Sequence, residues 1–221
     1  MNPAPDTVIL LHAAVVNKSS LALFARRLKK LGFRVHNLPY PNRKLDIFGC
    51  AEFLLPIFQS LAQSVPARLH MAGHSMGGLV ARRLLYLHQP EKFSRLVTLG
   101  SPHLGSPLAD LLHNYGFYKK LFGPAGQDLV TGRPIDWLAP WPPSYEIGLI
   151  AGSVPIGPGS FHLLHPSDGT VRQVSAQPHG GSGYALVPAT HTTIPYLKKT
   201  ARLTAAFFRS GHFETGYRQS P

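Results

Sequence analysis

The sequence predicts an α/β fold in which a mostly parallel sheet of about six strands is flanked by helices. Short apolar runs alternate with amphipathic helical patterns from Thr7 to Gly100. This alternation is typical of a parallel sheet with helices on both faces. The length of 221 residues and a hydrophobic fraction of 44% suit one domain with a single core. Glycine and proline, at 21 residues each, indicate many turns and long irregular connections.

The part of the chain before Gly100 contains the most regular of the predicted elements. Strands are predicted at residues 7–11, 33–36, 68–72 and 96–99. Helices are predicted at 21–31, at 45–63 with an interruption at Pro56, and at 79–87. Ser19 or Ser20 is suited to cap the first helix, and Gly32 ends it.

After Gly100 the regularity fades. An irregular insertion at 106–143, rich in Gly, Pro and Trp towards its end, has the size of a small cap or minimal lid and contains one predicted helix at 108–112. Strands are predicted at 145–151 and 184–187, with long loops at 152–183 and a closing helix at 196–208. Neither a repeat nor a linker divides the sequence, so residues 1–221 are predicted to form one domain.

The net charge of +12 does not by itself predict nucleic-acid binding. The basic residues are scattered in pairs through helical patterns, and the sequence has no zinc-finger, RNP or homeodomain signature. Solvated helix faces are therefore the favoured interpretation, and nucleic acid is not an expected partner. Attraction to anionic substrates or peripheral contact with an anionic membrane stays open.

The compartment is predicted from the ends of the chain and its cysteine content. The sequence begins without the basic and apolar regions of a signal peptide, and no apolar stretch reaches the length of a membrane span. A cytoplasmic location is therefore expected. Cys50 is the single cysteine, so no intrachain disulfide can form, and it is expected to be a small buried residue.

The strongest chemical motif is Gly73-His74-Ser75-Met76-Gly77, which matches the G-x-S-x-G nucleophile elbow. The motif has the required context, because a predicted strand precedes it and a predicted helix follows it. A serine on such a sharp turn is held in a strained conformation, and side chains at either glycine would collide with neighbouring elements. The helix N-terminus beneath Ser75 would favour a developing oxyanion. Ser75 is the predicted nucleophile.

A serine nucleophile needs a base and an orienting carboxylate, which follow it in the order Ser, Asp, His in this type of fold. Asp168 is the predicted acid, because it lies in a tight polar turn after the strand at 145–151. His191 is the predicted base, because it comes between the last strand and the closing helix. The carboxylates and histidines considered less suitable by order or position are Asp110, Asp128, Asp136, His162, His165, His179 and His212.

The oxyanion hole is predicted to combine two backbone N–H groups. One is that of Met76, the residue after the nucleophile. The other is that of Ala14, or alternatively Ala13, in the loop after the first strand. Small side chains there permit close approach of the backbone to a substrate.

The sequence resembles the small lipase-like α/β-hydrolases related to bacterial triacylglycerol lipases. The similar blocks are 8–12, 73–82, 99–110, 168–171 and 191–192, in the family order and over nearly the whole chain. The resemblance implies an α/β-hydrolase fold with Ser75, Asp168 and His191 as a catalytic triad. It also implies a carboxylic ester or a lipid as the substrate.

The sequence departs from that family at two positions. The His-Gly after the first strand is His12-Ala13 here. If that position required a positive φ, Ala13 would cost about 1 kcal/mol. Secreted relatives carry an Asp calcium ligand two residues after the base, and here the residue is Thr193, so neither calcium nor another metal or cofactor is expected.

The sequence therefore predicts a serine hydrolase that cleaves esters through an acyl-enzyme intermediate. Two alternatives remain. The same triad could act on a thioester or transfer the acyl group to an alcohol, or the chain could be a non-catalytic protein with this fold that acts at anionic membranes. The short insertion at 106–143 favours short to medium acyl chains, although its apolar residues could equally pack onto the sheet.

Overall fold

The computed structural model describes residues 3–132, 144–160 and 166–213. Its centre is a sheet of six parallel strands in the order β2-β1-β3-β4-β5-β6. The strands are β1 Thr7–Leu11, β2 Arg34–Leu38, β3 Leu69–His74, β4 Phe93–Leu99, β5 Glu146–Gly152 and β6 Gly183–Val187. Because all strands are parallel, their carboxyl ends meet at one edge, where a ligand site is expected.

Helices cover both faces of this sheet. The α-helices are α1 Ala22–Lys30, α2 Ile47–Ser64, α3 Met76–Leu87, α4 Pro107–Leu112, α5 Gly116–Gln127, α6 Gln173–Ala176 and α7 Lys198–Ser210. Two 3-10 helices, Lys18–Leu21 and His191–Tyr196, precede α1 and α7 respectively. The helices α2 and α3 pack together on one face, and α1 and α7 pack together on the other.

The two cores follow from the alternation of side chains along a strand. In β1, Ile9 and Leu11 belong to the core beneath α2 and α3. Val8 and Leu10 belong to the core beneath α1 and α7. All four side chains are fully buried, so β1 reads as a continuous apolar run, as a strand covered on both faces should.

The predicted fold class is confirmed, with corrections in detail. Neither Ser19 nor Ser20 caps α1, because both lie in the 3-10 helix before it; Asn17 caps that 3-10 helix, and its side chain accepts a hydrogen bond of 2.9 Å from the Ser19 N–H. Pro56 does not interrupt α2, because it lies on the exposed side, where water can satisfy the carbonyl that loses its partner. The helix α5 was not predicted. It is kinked at Gly123, which has a non-helical backbone conformation and precedes Pro124.

The structure also bears on the expectations for Cys50 and for membrane-spanning segments. Cys50 is buried, and burial raises the pKa of its thiol to about 12, so it is an unreactive core residue. No helix in the described parts of the chain is both long and apolar enough to cross a membrane.

Candidate active site

Ser75 lies at the sharp turn between β3 and α3, at the carboxyl edge of the sheet. Its backbone adopts φ 54° and ψ −125°, a conformation that residues other than glycine rarely adopt. The Ser75 N–H donates a hydrogen bond of 2.9 Å to the carbonyl oxygen of Leu99 at the end of β4. Ser75 is the N-cap residue of α3, so its side chain lies at the positive end of that helix.

The two glycines of the motif allow this turn to form. A Cβ atom on Gly73 would lie 2.4 Å from the carbonyl carbon of Gly77. A Cβ atom on Gly77 would lie 2.2 Å from the carbonyl oxygen of Leu11 in β1. Both distances are far below van der Waals contact with backbone that cannot move aside. The predicted collision is therefore present at both positions.

The structure brings the three predicted side chains into one hydrogen-bonded series. His191 Nδ1 lies 2.8 Å from Asp168 Oδ2, and His191 Nε2 lies 3.0 Å from Ser75 Oγ. A carboxylate can only accept, so the imidazole proton is on Nδ1 and the lone pair of Nε2 faces the serine hydroxyl. This is the arrangement in which an imidazole can remove a proton from a serine.

Asp168 is buried, with 1% of its surface exposed. Its Oδ1 accepts hydrogen bonds from the N–H groups of Thr170 at 3.0 Å and Val171 at 2.7 Å. Its own carbonyl oxygen accepts a bond of 2.8 Å from the His191 N–H. The turn thus fixes Oδ2 towards His191 and compensates the buried charge with backbone donors.

His191 begins the 3-10 helix that leads into α7. Thr190 caps this helix, and the side chains of Thr190 and Thr193 form a reciprocal capping box. Thr193, which occupies the calcium-ligand position of the similar family, therefore has a structural role here. No group of three or more His, Cys, Asp or Glu side chains within the described residues is arranged to hold a metal ion.

The loop after β1 is held by side chains that follow β2. Tyr40 donates its hydroxyl hydrogen to the carbonyl oxygen of His12, and the two rings stack with centroids 4.3 Å apart. Asn42 donates from Nδ2 to the carbonyl oxygens of Ala13 at 3.0 Å and Val16 at 2.8 Å. The sequence analysis missed these supporting residues, because a contact between distant segments leaves no local pattern.

Ala13 does not have the positive φ that was considered for this position, and the positive φ of this loop lies at Val15. Val15 has φ 68°, and the Val16 N–H donates a hydrogen bond of 2.8 Å to the carbonyl oxygen of Ala14, forming a γ-turn. A positive φ at a β-branched residue is a genuine strain. Among the described residues, the N–H groups of Ala14 and Met76 donate to no other protein group, so neither is committed to a hydrogen bond within that part of the chain.

His74 is a further residue of the site that the sequence analysis did not single out. Its Nε2–H donates a hydrogen bond of 3.0 Å to the carbonyl oxygen of His191, and the two rings lie 5.2 Å apart. Burial, followed by the proximity of His191, lowers the pKa of His74 to about 3. The ring is therefore neutral, which suits a donor placed beside a base that gains charge.

A cavity of about 270 Å³ opens onto Ser75 and His191. Its walls are mostly apolar and include Ala14 and Val15 from the loop after β1. The predicted cap contributes part of the lining, namely Leu108, Ala109, Tyr118, Leu121, Phe122 and Leu129. An apolar pocket with a few polar groups at one end suits an ester with an apolar acyl chain.

The other polar candidates from the sequence do not join the site. Asp110 accepts from the Thr131 N–H at 2.7 Å in a loop, and Asp128 accepts from the Ile47 N–H at 3.0 Å at the start of α2, so both have structural contacts. His179 and His212 are exposed. Asp136, His162 and His165 lie outside the described residues.

Part of the chain matches a known protein family. Residues 47–123, which include the Ser75 turn, match the family described as PGAP1-like alpha/beta domain. The GPI inositol-deacylase of Kluyveromyces lactis is 43% identical over 56 residues. That alignment covers 23% of this chain and 6% of the deacylase, so the shared part is a small fraction of that protein.

Solved structures resemble the chain over nearly its whole length. The mature lipase BlEst2 of Bacillus licheniformis has a TM-score of 0.72 at 20% identity, covering 95% of this chain and 93% of the lipase. The phospholipase PlaB of Legionella pneumophila has a TM-score of 0.63 at 14% identity, covering 94% of this chain and 57% of PlaB. At these identities the similarity establishes the fold: the chain has the α/β-hydrolase fold, as its resemblance to lipase-like hydrolases implied.

Proposed function

We propose that this chain is a serine hydrolase that cleaves carboxylic esters through an acyl-enzyme intermediate. The observation that carries the proposal is the hydrogen-bonded series of Asp168, His191 and Ser75, with distances of 2.8 Å and 3.0 Å, at the floor of an apolar cavity. This geometry supports the proposal, because a buried carboxylate that orients an imidazole beside a serine at a strained turn suits the activation of the hydroxyl group.

In the acylation step, Ser75 Oγ attacks the carbonyl carbon of the ester while His191 Nε2 takes the hydroxyl proton. The Asp168 carboxylate stabilises the imidazolium that forms. The tetrahedral oxyanion accepts hydrogen bonds from the N–H groups of Met76 and Ala14, assisted by the positive end of α3. Collapse of this intermediate breaks the bond to the alcohol oxygen, which receives the proton from His191.

Deacylation repeats the same steps with water. His191 removes a proton from a water molecule, the hydroxyl attacks the acyl carbon, and the second oxyanion occupies the same two N–H groups. The bond to Ser75 Oγ then breaks, and Oγ regains its proton from His191. The sequence of steps uses protein groups and water, and it requires no metal or cofactor.

The proposed substrate class is an ester with an apolar acyl group, including esters of lipids. The apolar lining of the cavity supports this choice, since it suits an acyl chain better than a charged one. The similar proteins are named as a lipase, a phospholipase and an inositol deacylase, all of which act on acylated molecules by name.

The experiment that tests the proposal compares three reactions of two acyl donors that carry the same acyl group. Purified protein is given a p-nitrophenyl ester, the matching acyl thioester, and the ester together with a second alcohol as acceptor. We expect hydrolysis of the oxygen ester to be fastest and most of its acyl group to appear as free acid. A higher kcat/KM on the thioester would favour a thioesterase, and accumulation of the transferred ester would favour an acyltransferase.

A non-catalytic role is tested in the same series. Protein that shows no turnover of any donor, at concentrations where it remains folded, would contradict the proposed function. Ser75→Ala is the matched control, because it removes one oxygen atom at the turn and leaves the glycines of the elbow intact. Turnover by that variant at the wild-type rate would show that the activity comes from a contaminant or from another group.

A further inference from the structure

A second groove, of about 450 Å³, lies between α1 and α7 on the face of the sheet opposite α2 and α3. Its floor is aliphatic and includes Leu23, Leu31 and Ala201. Its walls carry five basic side chains: Arg26, Arg27, Lys30, Lys198 and Arg202. We call this feature the cationic groove.

The two helices that form the groove contain basic residues and no acidic ones. Neither α1 nor α7 contains Asp or Glu, and residues 7–45 and 169–213 contain none at all. Among the described residues, Arg26, Lys30, Lys198 and Arg202 form no ion pair. Within the described part of the chain, no ion pair therefore compensates the positive charge of these four side chains.

Such an arrangement is unfavourable in the absence of an anion. Neighbouring like charges repel, and side chains around a concave surface raise the local concentration of anions. Phosphate groups fit this chemistry well, because a guanidinium group can donate two parallel hydrogen bonds to them. The groove thus has the composition of a phosphate-binding surface.

The cationic groove adjoins the mouth of the active-site cavity. Arg27 donates a hydrogen bond to the backbone carbonyl oxygen of Tyr196, and Tyr196 lines the cavity. Large apolar side chains are exposed along this boundary: Tyr196 is 39% exposed, Val16, which also lines the cavity, is 42% exposed, and Leu23 in the groove is 41% exposed. A basic side chain of the groove thus contacts an exposed residue of the cavity lining, and both surfaces also carry exposed apolar side chains.

We propose that the cationic groove binds the phosphate groups of anionic phospholipids and so seats the protein on an anionic membrane surface beside the cavity entrance. Basic side chains supply the attraction to the headgroups, and the exposed apolar residues reach the boundary of the acyl chains. The binding is independent of the proposed hydrolysis, so either can fail without the other.

A membrane suits this surface better than a nucleic acid does. Proteins that bind single strands combine basic grooves with aromatic side chains on which the bases stack. The apolar residues that line the cationic groove are aliphatic. Leu23, Leu31 and Ala201 can contact lipid, but they offer no stacking platform.

The test is co-sedimentation with vesicles of phosphatidylcholine alone and of phosphatidylcholine mixed with phosphatidylglycerol. The Ser75→Ala protein is used throughout, so that the vesicles stay intact. We expect binding to the mixed vesicles, and weak binding to phosphatidylcholine alone. The variant Arg26→Glu/Arg202→Glu is expected to bind the mixed vesicles at least about tenfold more weakly, since each basic residue near an anionic surface contributes to attraction.

The matched control is Arg68→Glu/Lys92→Glu, which changes the net charge by the same amount. Arg68 and Lys92 are exposed residues directly before β3 and β4, at the end of the sheet opposite Ser75. We expect this variant to bind within about twofold of the parent, because its substitutions lie away from the groove. If reversal of the groove charges prevents folding, Arg26→Gln/Arg202→Gln is measured instead, with thermal melting as the check.

Three results would overturn the proposal. Equal loss of binding in the groove and control variants would show that net charge alone attracts the protein. Equal binding to both kinds of vesicle would show that phosphate charge is not recognised. Displacement from the mixed vesicles by a soluble competitor would identify another ligand. Displacement by millimolar inorganic phosphate would indicate a soluble phosphate, and displacement by a single-stranded oligonucleotide that binds more tightly through Arg26 and Arg202 would indicate a nucleic acid.

Discussion

The imidazole of His74 donates a hydrogen bond of 3.0 Å to the backbone carbonyl oxygen of His191. The residue directly before the proposed nucleophile therefore holds the segment that carries the proposed base. Because burial lowers the pKa of His74 to about 3, this donor stays neutral through the working pH range. A neutral ring adds no repulsion when His191 gains a proton during the reaction.

The first prediction concerns this contact. His74→Phe keeps an aromatic ring but removes the donor, which leaves a backbone carbonyl in the site without its partner. We expect kcat to fall about tenfold, because the loss of one hydrogen bond misplaces the base. We expect KM to change less, because a ring of similar size keeps the part of the cavity wall that His74 forms. Steady-state kinetics on a p-nitrophenyl ester measure both constants.

His74→Gln is the matched variant, since its amide can donate to the same carbonyl oxygen. It should recover part of the lost kcat. A His74→Phe protein with the kinetics of the wild type would show that His74 has no part in placing His191. An equal loss in both variants, together with a lower melting temperature, would indicate a packing role.

The second prediction concerns stability in acid. Burial lowers the pKa of His70 to about 4 and that of His74 to about 3, and it also lowers the pKa of His12 and His103. Between pH 6.5 and 4 the unfolded chain binds protons that the folded chain does not. The free energy of unfolding therefore decreases as the pH falls below 6.5. Above that pH these histidines are neutral in both states and cause no loss of stability.

His70→Phe isolates one of these contributions, because the ring of His70 stacks on Phe208 with centroids 4.6 Å apart and a phenyl ring can pack there. In this range, the slope of the free energy of unfolding against pH should be smaller for the variant than for the wild type, by up to about 1.4 kcal/mol per pH unit. Urea unfolding at several pH values measures the slope. An unchanged slope in the variant would mean that His70 titrates alike in the folded and unfolded protein.

The third prediction concerns acyl-chain length. The cavity is small, at about 270 Å³, and Leu121 from α5 lines it. We expect esters of short to medium chains to be preferred over long-chain triglycerides, and Leu121→Ala to shift the preference to longer chains. Leu111→Ala is the control, since Leu111 is exposed on α4 and is not part of the lining.

The measurement is a chain-length series of p-nitrophenyl esters with and without neutral detergent micelles. The preferred chain should lengthen for Leu121→Ala and stay constant for Leu111→Ala. A rate that rises sharply when neutral micelles form, with trioleoylglycerol as the best substrate, would contradict the prediction.

The fourth prediction is that activity needs no metal ion. Thr193, at the position where the resemblance would place a calcium ligand, closes a capping box with Thr190. Ester hydrolysis should therefore be unchanged by EDTA and by added calcium. Activity that disappears in EDTA and returns with calcium would disprove this.

The elbow and the alternating strands could be predicted because their signals are local. Gly73 and Gly77 frame the serine within five residues, and the apolar runs mark strands directly. Asp168 and His191 could be placed by chain order, and the structure brings both to Ser75. The information therefore lay in neighbouring residues for the elbow and the strands, and in the order of the elements along the chain for Asp168 and His191.

The rest depends on contacts between distant segments or on competing local signals. The bond from His74 to His191 joins residues 117 positions apart, and Tyr40 and Asn42 support a loop that precedes them by more than twenty residues. The helix α5 was missed because Gly123 and Pro124 favour a turn. The cationic groove forms only when α1 and α7, from opposite ends of the chain, pack side by side.

The central claim, that Ser75 is a nucleophile activated by His191, is tested most directly by covalent labelling with a fluorophosphonate probe. The labelled protein is digested, and the modified residue is identified by mass spectrometry. We predict one adduct, on Ser75 Oγ, which is absent in a folded Ser75→Ala protein and much slower to form in His191→Ala. Failure of the folded wild-type protein to react, or an adduct that persists in Ser75→Ala, would contradict the account.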